Sequence, residues 1–163
     1  MKNNTASYTV VKNSETGKGV FAAAIIPAGT VLFKIEGKHL SFEETVALEE
    51  NESYCLQVDL KEYIAMHYPE FLINHSCNPN CGINARLELF SLREIQKDEE
   101  LRWDYSTSML ERHWIMECRC GEKNCREVVR DFDLLPEETQ KKYLEQGIVL
   151  PFIVEWLKEN KKE

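Results

Sequence analysis

Six cysteines stand at positions 55, 77, 81, 118, 120 and 125, and three of them fall within eight residues: Cys118-Arg-Cys120-Gly-Glu-Lys-Asn-Cys125. Thiolates this close can wrap one side of a metal ion, with Gly121 allowing the tight turn between them. Zinc takes four tetrahedral ligands, with sulfur at about 2.3 Å, so a fourth donor must come from elsewhere. Cys77 is the first choice because it sits in a polar, turn-rich stretch, Asn74-His75-Ser76-Cys77-Asn78-Pro79-Asn80-Cys81; Cys81 and His113 are the alternatives. Closure by Cys77 would pin the C-terminal segment onto residues far upstream and turn metal affinity into folding energy for that segment. Such a site has no open position for water and is structural rather than catalytic. The plainer alternative is a set of free thiols. An even cysteine count would also suit disulfides in a small secreted scaffold, but this chain is larger and its N-terminus, Met1-Lys2-Asn3-Asn4-Thr5, leads into polar residues rather than an apolar signal region.

The elements that must position these residues are mostly short strands. Tyr8 to Val11 is β-prone, Gly17-Lys18-Gly19 reads as a turn, and apolar runs follow at Val20 to Ile26 and Val31 to Ile35 with Pro27-Ala28-Gly29 between them. Ser41, with Glu44 three residues on, has the pattern of a capping box and opens a short helix to about Glu50. Tyr54 to Asp59 and Leu87 to Leu92 alternate as half-buried strands, with Cys55 reading as ordinary core. Asn74 to Asn84 reads as irregular, and Glu100 to Tyr105 as a further strand. Beyond the cysteines the texture turns helical: Pro136 suits the first turn of a helix running to about Gln146, and Gly147 ends it. Pro151 opens a last helix, with Ile153, Trp156 and Leu157 at the spacing of a buried stripe. The expected class is mainly β: a catalytic core over residues 6–107, a zinc-binding segment over 108–130 and a helical tail over 131–163.

Bulk properties narrow the function classes. At 163 residues with 43% hydrophobic and 29% charged content, the chain can build one real core with a small appendage. No low-complexity tract or internal repeat argues for disorder or a solenoid. No apolar run is long enough to cross a bilayer, so no membrane association is expected and a cytoplasmic location is the default. The formal net charge of −8 and the lack of a dense Lys/Arg stripe argue against direct nucleic-acid binding and favour a cationic partner.

Three separated segments together resemble the SET-domain protein-lysine methyltransferase family. They are Gly17-Lys18-Gly19-Val20-Phe21-Ala22 with Ile26-Pro27-Ala28-Gly29; Phe71-Leu72-Ile73-Asn74-His75-Ser76-Cys77-Asn78-Pro79-Asn80-Cys81 running on to Glu99-Glu100-Leu101-Arg102-Trp103-Asp104-Tyr105; and Cys118 to Cys125 with Arg126, which is similar to the family's post-SET zinc motif. The resemblance implies small curved sheets with a pseudoknot, in which Asn74 to Cys81 threads beneath a neighbouring loop. It implies that Gly17, Lys18, Gly19, Tyr54, Asn74 and His75 bind S-adenosylmethionine, that Tyr105 is catalytic, and that Cys77, Cys118, Cys120 and Cys125 bind structural zinc. Trp103, two residues before Tyr105, stands where the family lines its substrate channel. The implied substrate is a lysine of a basic protein or peptide such as a histone tail.

Some positions depart from the family pattern. Ile35 replaces a frequent tyrosine, Asp98 replaces the usual glycine before Glu-Glu-Leu, and Trp103 lacks a hydroxyl. Asp98 is tolerable because aspartate accepts left-handed turn geometry. The sequence as given carries no cysteine-rich stretch ahead of the core, so substrate docking is expected from the insert around Ser41 to Glu52 or from the tail. Ile35 and the missing docking region leave room for a second reading, a SET-like module that binds peptide or cofactor without turnover. A zinc-organised scaffold with no ligand is a third.

Overall fold

The computed structural model describes residues 8–160. Residues 6, 7 and 161–163, the outer limits of the expected segments, lie outside the described residues, as do Met1 to Thr5. Strands β1 (Thr9–Ser14) and β2 (Gly17–Ala22) form an antiparallel hairpin with Ser14 opposite Gly17. The turn is therefore made by Glu15 and Thr16, and Gly17-Lys18-Gly19 is the start of the strand rather than the turn it resembles. Gly17 has φ +118°, a backbone state open to glycine and strained for other residues.

Two three-stranded antiparallel sheets follow. One orders β3 (Val31–Lys34), β9 (Glu88–Ser91) and β8 (Cys81–Ile83); the other orders β4 (Gly37–Ser41), β6 (Glu62–Met66) and β5 (Cys55–Asp59). Between β4 and β5 lies α1 (Phe42–Val46). Its capping box is formed as expected, with Ser41 accepting from the Glu44 amide and Glu44 accepting from the Ser41 amide. The helix is shorter than expected, because Glu49 turns left-handed (φ 52°) and Glu49–Tyr54 winds on as a 3-10 turn. Tyr54 thus closes that turn instead of opening β5.

The stretch expected to be irregular contains β8 and, at its start, β7 (Asn74–His75). Strand β7 pairs in parallel with β10 (Arg102–Trp103), placing Asn74 beside Arg102 and His75 beside Trp103. This pairing joins two segments distant in sequence. The strand expected over Glu100 to Tyr105 is confined to β10, since Asp104 caps a 3-10 turn (Tyr105–Ser108) by accepting the Ser106 amide at 3.1 Å. Asp98 has φ 67°, the left-handed geometry expected of it. The mainly β class is as expected.

One apolar core underlies these sheets, built from Val20, Ile26, Leu32, Ile73, Leu89, Ile95 and Leu101. The tail adds to it. Helix α2 (Glu137–Glu145) follows Pro136 and ends before Gly147 (φ 68°), and α3 (Pro151–Asn160) begins at the expected proline. Tyr143, Phe152, Ile153 and Leu157 are buried in the same core as the strands, with Trp156 packed at its edge. Ile35, at the position that departs from the family, is simply core. Among the described residues, no helix is long and apolar enough to cross a membrane.

Candidate functional site

Strands β11 (Met116–Glu117) and β12 (Val128–Val129) pair at the base of the cysteine loop. Within it, Gly121 (φ 75°) and Glu127 (φ 65°) supply the left-handed turns that curl the chain back. The sulfur atoms of Cys77, Cys118, Cys120 and Cys125 all lie within 4.8 Å of one another, and Cys77 and Cys118 are 3.8 Å apart. A regular tetrahedron with metal–sulfur bonds of 2.3 Å has an edge of about 3.8 Å, so four such thiolates fit a zinc ion. Backbone amides serve the sulfurs as they would thiolates: Arg126 donates to Cys77 and Glu127 to Cys125, each at 3.4 Å. The alternative fourth donors fall away. Cys81 is fully buried in β8, outside the cluster, and His113 lies 3.1 Å from the carboxylate of Glu52.

Beside this cluster is a cleft of about 450 Å³, a size that accepts a nucleoside-sized ligand. Its walls are the tip of the β1–β2 hairpin, the ring stack of Tyr54 on Phe71 (centroids 4.5 Å apart), Asn74 and His75, and the metal segment from Met116 to Cys120. Gly17, Lys18, Tyr54, Asn74 and His75 therefore share one cavity. Gly19 stands behind its wall, where a Cβ would collide with the Glu100 carboxylate. That carboxylate accepts from the Asn74 amide at 2.7 Å, and Asn74 also donates to the Lys18 carbonyl at 3.0 Å. Asn74 thus ties the hairpin to β7.

A smaller cavity, about 50 Å³ and called the channel below, adjoins the cleft and is lined by Cys55, Tyr63, Ile73, Trp103 and Tyr105 among others. Cys55 is half-buried and faces this channel instead of filling the core. Ser53, Tyr105 and Trp114 line both cavities, so Tyr105 stands in the wall where they meet. Its hydroxyl donates to the Ile73 carbonyl at 2.8 Å and its ring lies 4.8 Å from that of Trp103. Burial, with a smaller push from Glu100, holds the phenol above its ordinary pKa, so it is a neutral hydroxyl rather than a phenolate.

His75 holds Tyr105 by the backbone. Its Nδ1 accepts the Tyr105 amide at 3.2 Å, which leaves the proton on Nε2, 3.4 Å from the Cys77 sulfur. Burial keeps the ring neutral, its pKa pushed down to about 4 against the pull of Asp104. A buried, neutral imidazole with both nitrogens engaged is a strut.

Asp104 is the buried hub behind the Tyr105–Ser108 turn. Arg126 grips its carboxylate in two-pronged fashion at 2.8 and 2.9 Å, and the Tyr143 hydroxyl donates to it at 2.8 Å. Arg102 makes a second bridge, pairing with Glu100 and donating to the Cys120 carbonyl at 3.0 Å. These ties, and the channel residues Ser53, Tyr63, Glu111 and Trp114, escape a reading of the sequence. The available signal for Trp114 was its place at the head of an alternating Trp114-x-Met116-x-Cys118 run.

Comparison with known proteins places residues 17–106 on the model of the SET domain. Over 135 residues the chain is 31% identical to a histone-lysine N-methyltransferase, H3 lysine-36 specific, of Mycosarcoma maydis, covering 71% of this chain and 14% of that protein. A protein of Cryptococcus neoformans with the same description is 29% identical over 141 residues, covering 76% of this chain and 17% of that one. Histone-lysine N-methyltransferase ash1 of Drosophila melanogaster is 30% identical over 132 residues, covering 71% of this chain and 6% of the relative. The chain thus spans less than a fifth of the length of these relatives.

Proposed function

The chain belongs to the SET-domain family, and from that premise we propose that it is a protein-lysine N-methyltransferase transferring a methyl group from S-adenosylmethionine to a lysine of a basic protein, with histone tails the first candidates. The observation that carries the proposal is the place of Tyr105, in the wall shared by a cleft of about 450 Å³ and a much smaller cavity lined by Ile73 and Trp103. S-adenosylmethionine supplies an electrophilic methyl group on a sulfonium. Gly17, Lys18, Tyr54, Asn74 and His75 are the residues that would hold it, and Cys77, Cys118, Cys120 and Cys125 would hold a structural zinc closing the cleft's far wall. Residues 6–107, 108–130 and 131–163 divide the work as catalytic core, metal segment and bracing tail.

The chain's own contribution is positioning. Attack at a methyl carbon needs reacting atoms in line at about 3 Å, and fixing that geometry is worth orders of magnitude in rate. The Tyr105 hydroxyl, neutral and anchored on Ile73, offers oxygen lone pairs where weak C–H···O contacts can orient a methyl group. Around Tyr105 the channel walls, Ile73 and Trp103 among them, disfavour a charged ammonium and help the incoming lysine shed its proton there.

The test is incubation with labelled S-adenosylmethionine and a mixture of histones and cell lysate. A labelled protein band is expected, with label on lysine. Tyr105→Phe should slow transfer on the order of a hundredfold while cofactor affinity, measured by calorimetry, stays nearly intact. Equal activity in that variant would reject the role of Tyr105. Cofactor binding without any transfer would favour a binding module instead.

A further inference from the structure

At the side of the channel turned away from the cleft, Tyr63 on β6 and Glu111, just past the catalytic turn, line both the channel and a third cavity that also includes Phe42, Leu60 and Trp156. The Tyr63 hydroxyl donates to one oxygen of Glu111, and the Trp114 amide donates to the other at 3.3 Å. Both oxygens are therefore satisfied by neutral donors. The cations beside it in sequence are engaged elsewhere: Arg112 pairs with Asp131 and Asp133, and His113 with Glu52. Cys55, Glu52 and Asp131 add no positive charge, and the third cavity carries one further cation, Lys61, opposite in sign to Glu43 in the same lining. A carboxylate accepts at both oxygens, as a glutamine with one acceptor oxygen and a donating amide nitrogen does not, and it brings a negative charge into a half-buried place. His113 favours its charged form from a distance, but among the described residues no cation forms an ion pair with this carboxylate, which leaves it to meet a ligand that brings its own.

We propose that Glu111 is the specificity-determining anion of the lysine channel, capturing the ammonium of the incoming side chain at the channel's outer side while Tyr63 holds the carboxylate in place. The inference rests on the methyltransferase reading and deepens it. Two consequences oppose each other. The anion draws an ammonium in and so lowers the substrate's KM; it also stabilises the proton that the amine must lose before attack. Burial pushes the Glu111 carboxyl above the usual carboxylate range, and the Tyr63 hydrogen bond pulls it partly back, so the phenol tempers the anion's hold.

The experiment starts with the full, unaltered chain, labelled S-adenosylmethionine, core histones and a cell lysate. No labelled band at all would overturn the methyltransferase reading and this inference with it. With the labelled acceptor identified, KM and kcat are measured across pH for the unaltered protein, Glu111→Gln and Tyr63→Phe. Glu111→Gln should raise KM for the protein acceptor about tenfold or more, the loss expected for one charge-assisted hydrogen bond. It should also move the acid limb of kcat to lower pH, because the bound lysine then sheds its proton more easily. Tyr63→Phe should move that limb the other way, the carboxylate having lost its neutral donor. Cofactor affinity should hold in both. A merely structural role would lower kcat or cofactor affinity without opposite shifts of the limb. Transfer by the unaltered protein with KM and the limb unmoved in Glu111→Gln would overturn this inference alone. Should Glu111→Gln lose cofactor affinity through misfolding, a Tyr63→Phe limb that fails to rise decides against it.

Discussion

The sheet-built core and the cysteine segment hold their shape by different physics. The core buries some two dozen side chains in one apolar cluster that the tail helices complete. The segment from Met116 to Val129 has little of this: two-residue strands, a loop rich in charge, and a satellite cluster of four buried residues, Cys77, Met109, Cys118 and Val129. Its compactness depends on four sulfur atoms meeting at one point, and one of the four, Cys77, sits in the bend just after the core's strand β7. Burial is spread over many residues and fails gradually. Metal ligation is concentrated and fails at once. The cleft lies between the two regions, so its shape depends on the more fragile of them.

Removing the metal is the strongest way to break this contrast. Structural zinc sites in small domains supply on the order of 10 kcal/mol at neutral pH. We expect one zinc per chain by metal analysis, lost in Cys120→Ser or with a strong chelator. Amide hydrogen exchange should then speed up across 116–129 while strands β2, β8 and β9 keep their protection. Equal loss in both regions would show that they are one cooperative unit and end the distinction.

A smaller blow tests the seam between them. Arg126 follows Cys125, the last of the four clustered cysteines, yet its guanidinium pairs with Asp104 in the core, whose side chain is wholly buried. Breaking such a pair from one side leaves a buried charge uncompensated, at a cost of about 3–5 kcal/mol. Arg126→Met should lower the denaturation midpoint accordingly while the bound zinc remains; unchanged stability would mean that the seam contributes nothing. At the far end of the scale is the α1 cap, remote from the metal. Ser41→Ala should cost about 1 kcal/mol in chemical denaturation and leave zinc content alone. A change in zinc content there would blur the separation of the two regions.

What the sequence makes legible is what neighbouring residues decide between themselves. The Ser41–Glu44 box, the proline and glycine that bracket α2, Asp98 in its left-handed turn and the close-set cysteines each announce themselves within a few positions. The hairpin turn did not, because Glu15 and Thr16 carry none of the usual turn residues while Gly17 and Gly19 do. Strands β4 and β6 went unread for a related reason: Gly37-Lys38-His39-Leu40-Ser41 and Glu62-Tyr63-Ile64-Ala65-Met66 owe their extension to each other and to β5, partners that a local pattern does not contain. The same holds at the site. Asn74, His75 and Tyr105 stand in dense motifs, whereas Glu111 meets Tyr63 across 48 positions and Tyr143 meets Asp104 across 39, and neither meeting has any local trace.

The backbone carbonyl of Cys77 lies 2.9 Å from the Asn124 side chain and 3.3 Å from the Tyr143 hydroxyl. One peptide unit after β7 thus takes its neighbours from the cysteine loop and the tail, which reach it in that order as the chain grows from its N-terminus. A polypeptide interrupted before position 143 would carry every candidate ligand and the tyrosine itself, yet lack the final clasp on the turn that aims them. Products that stop short of position 143 should therefore hold the Tyr105–Ser108 turn less firmly than the whole chain does.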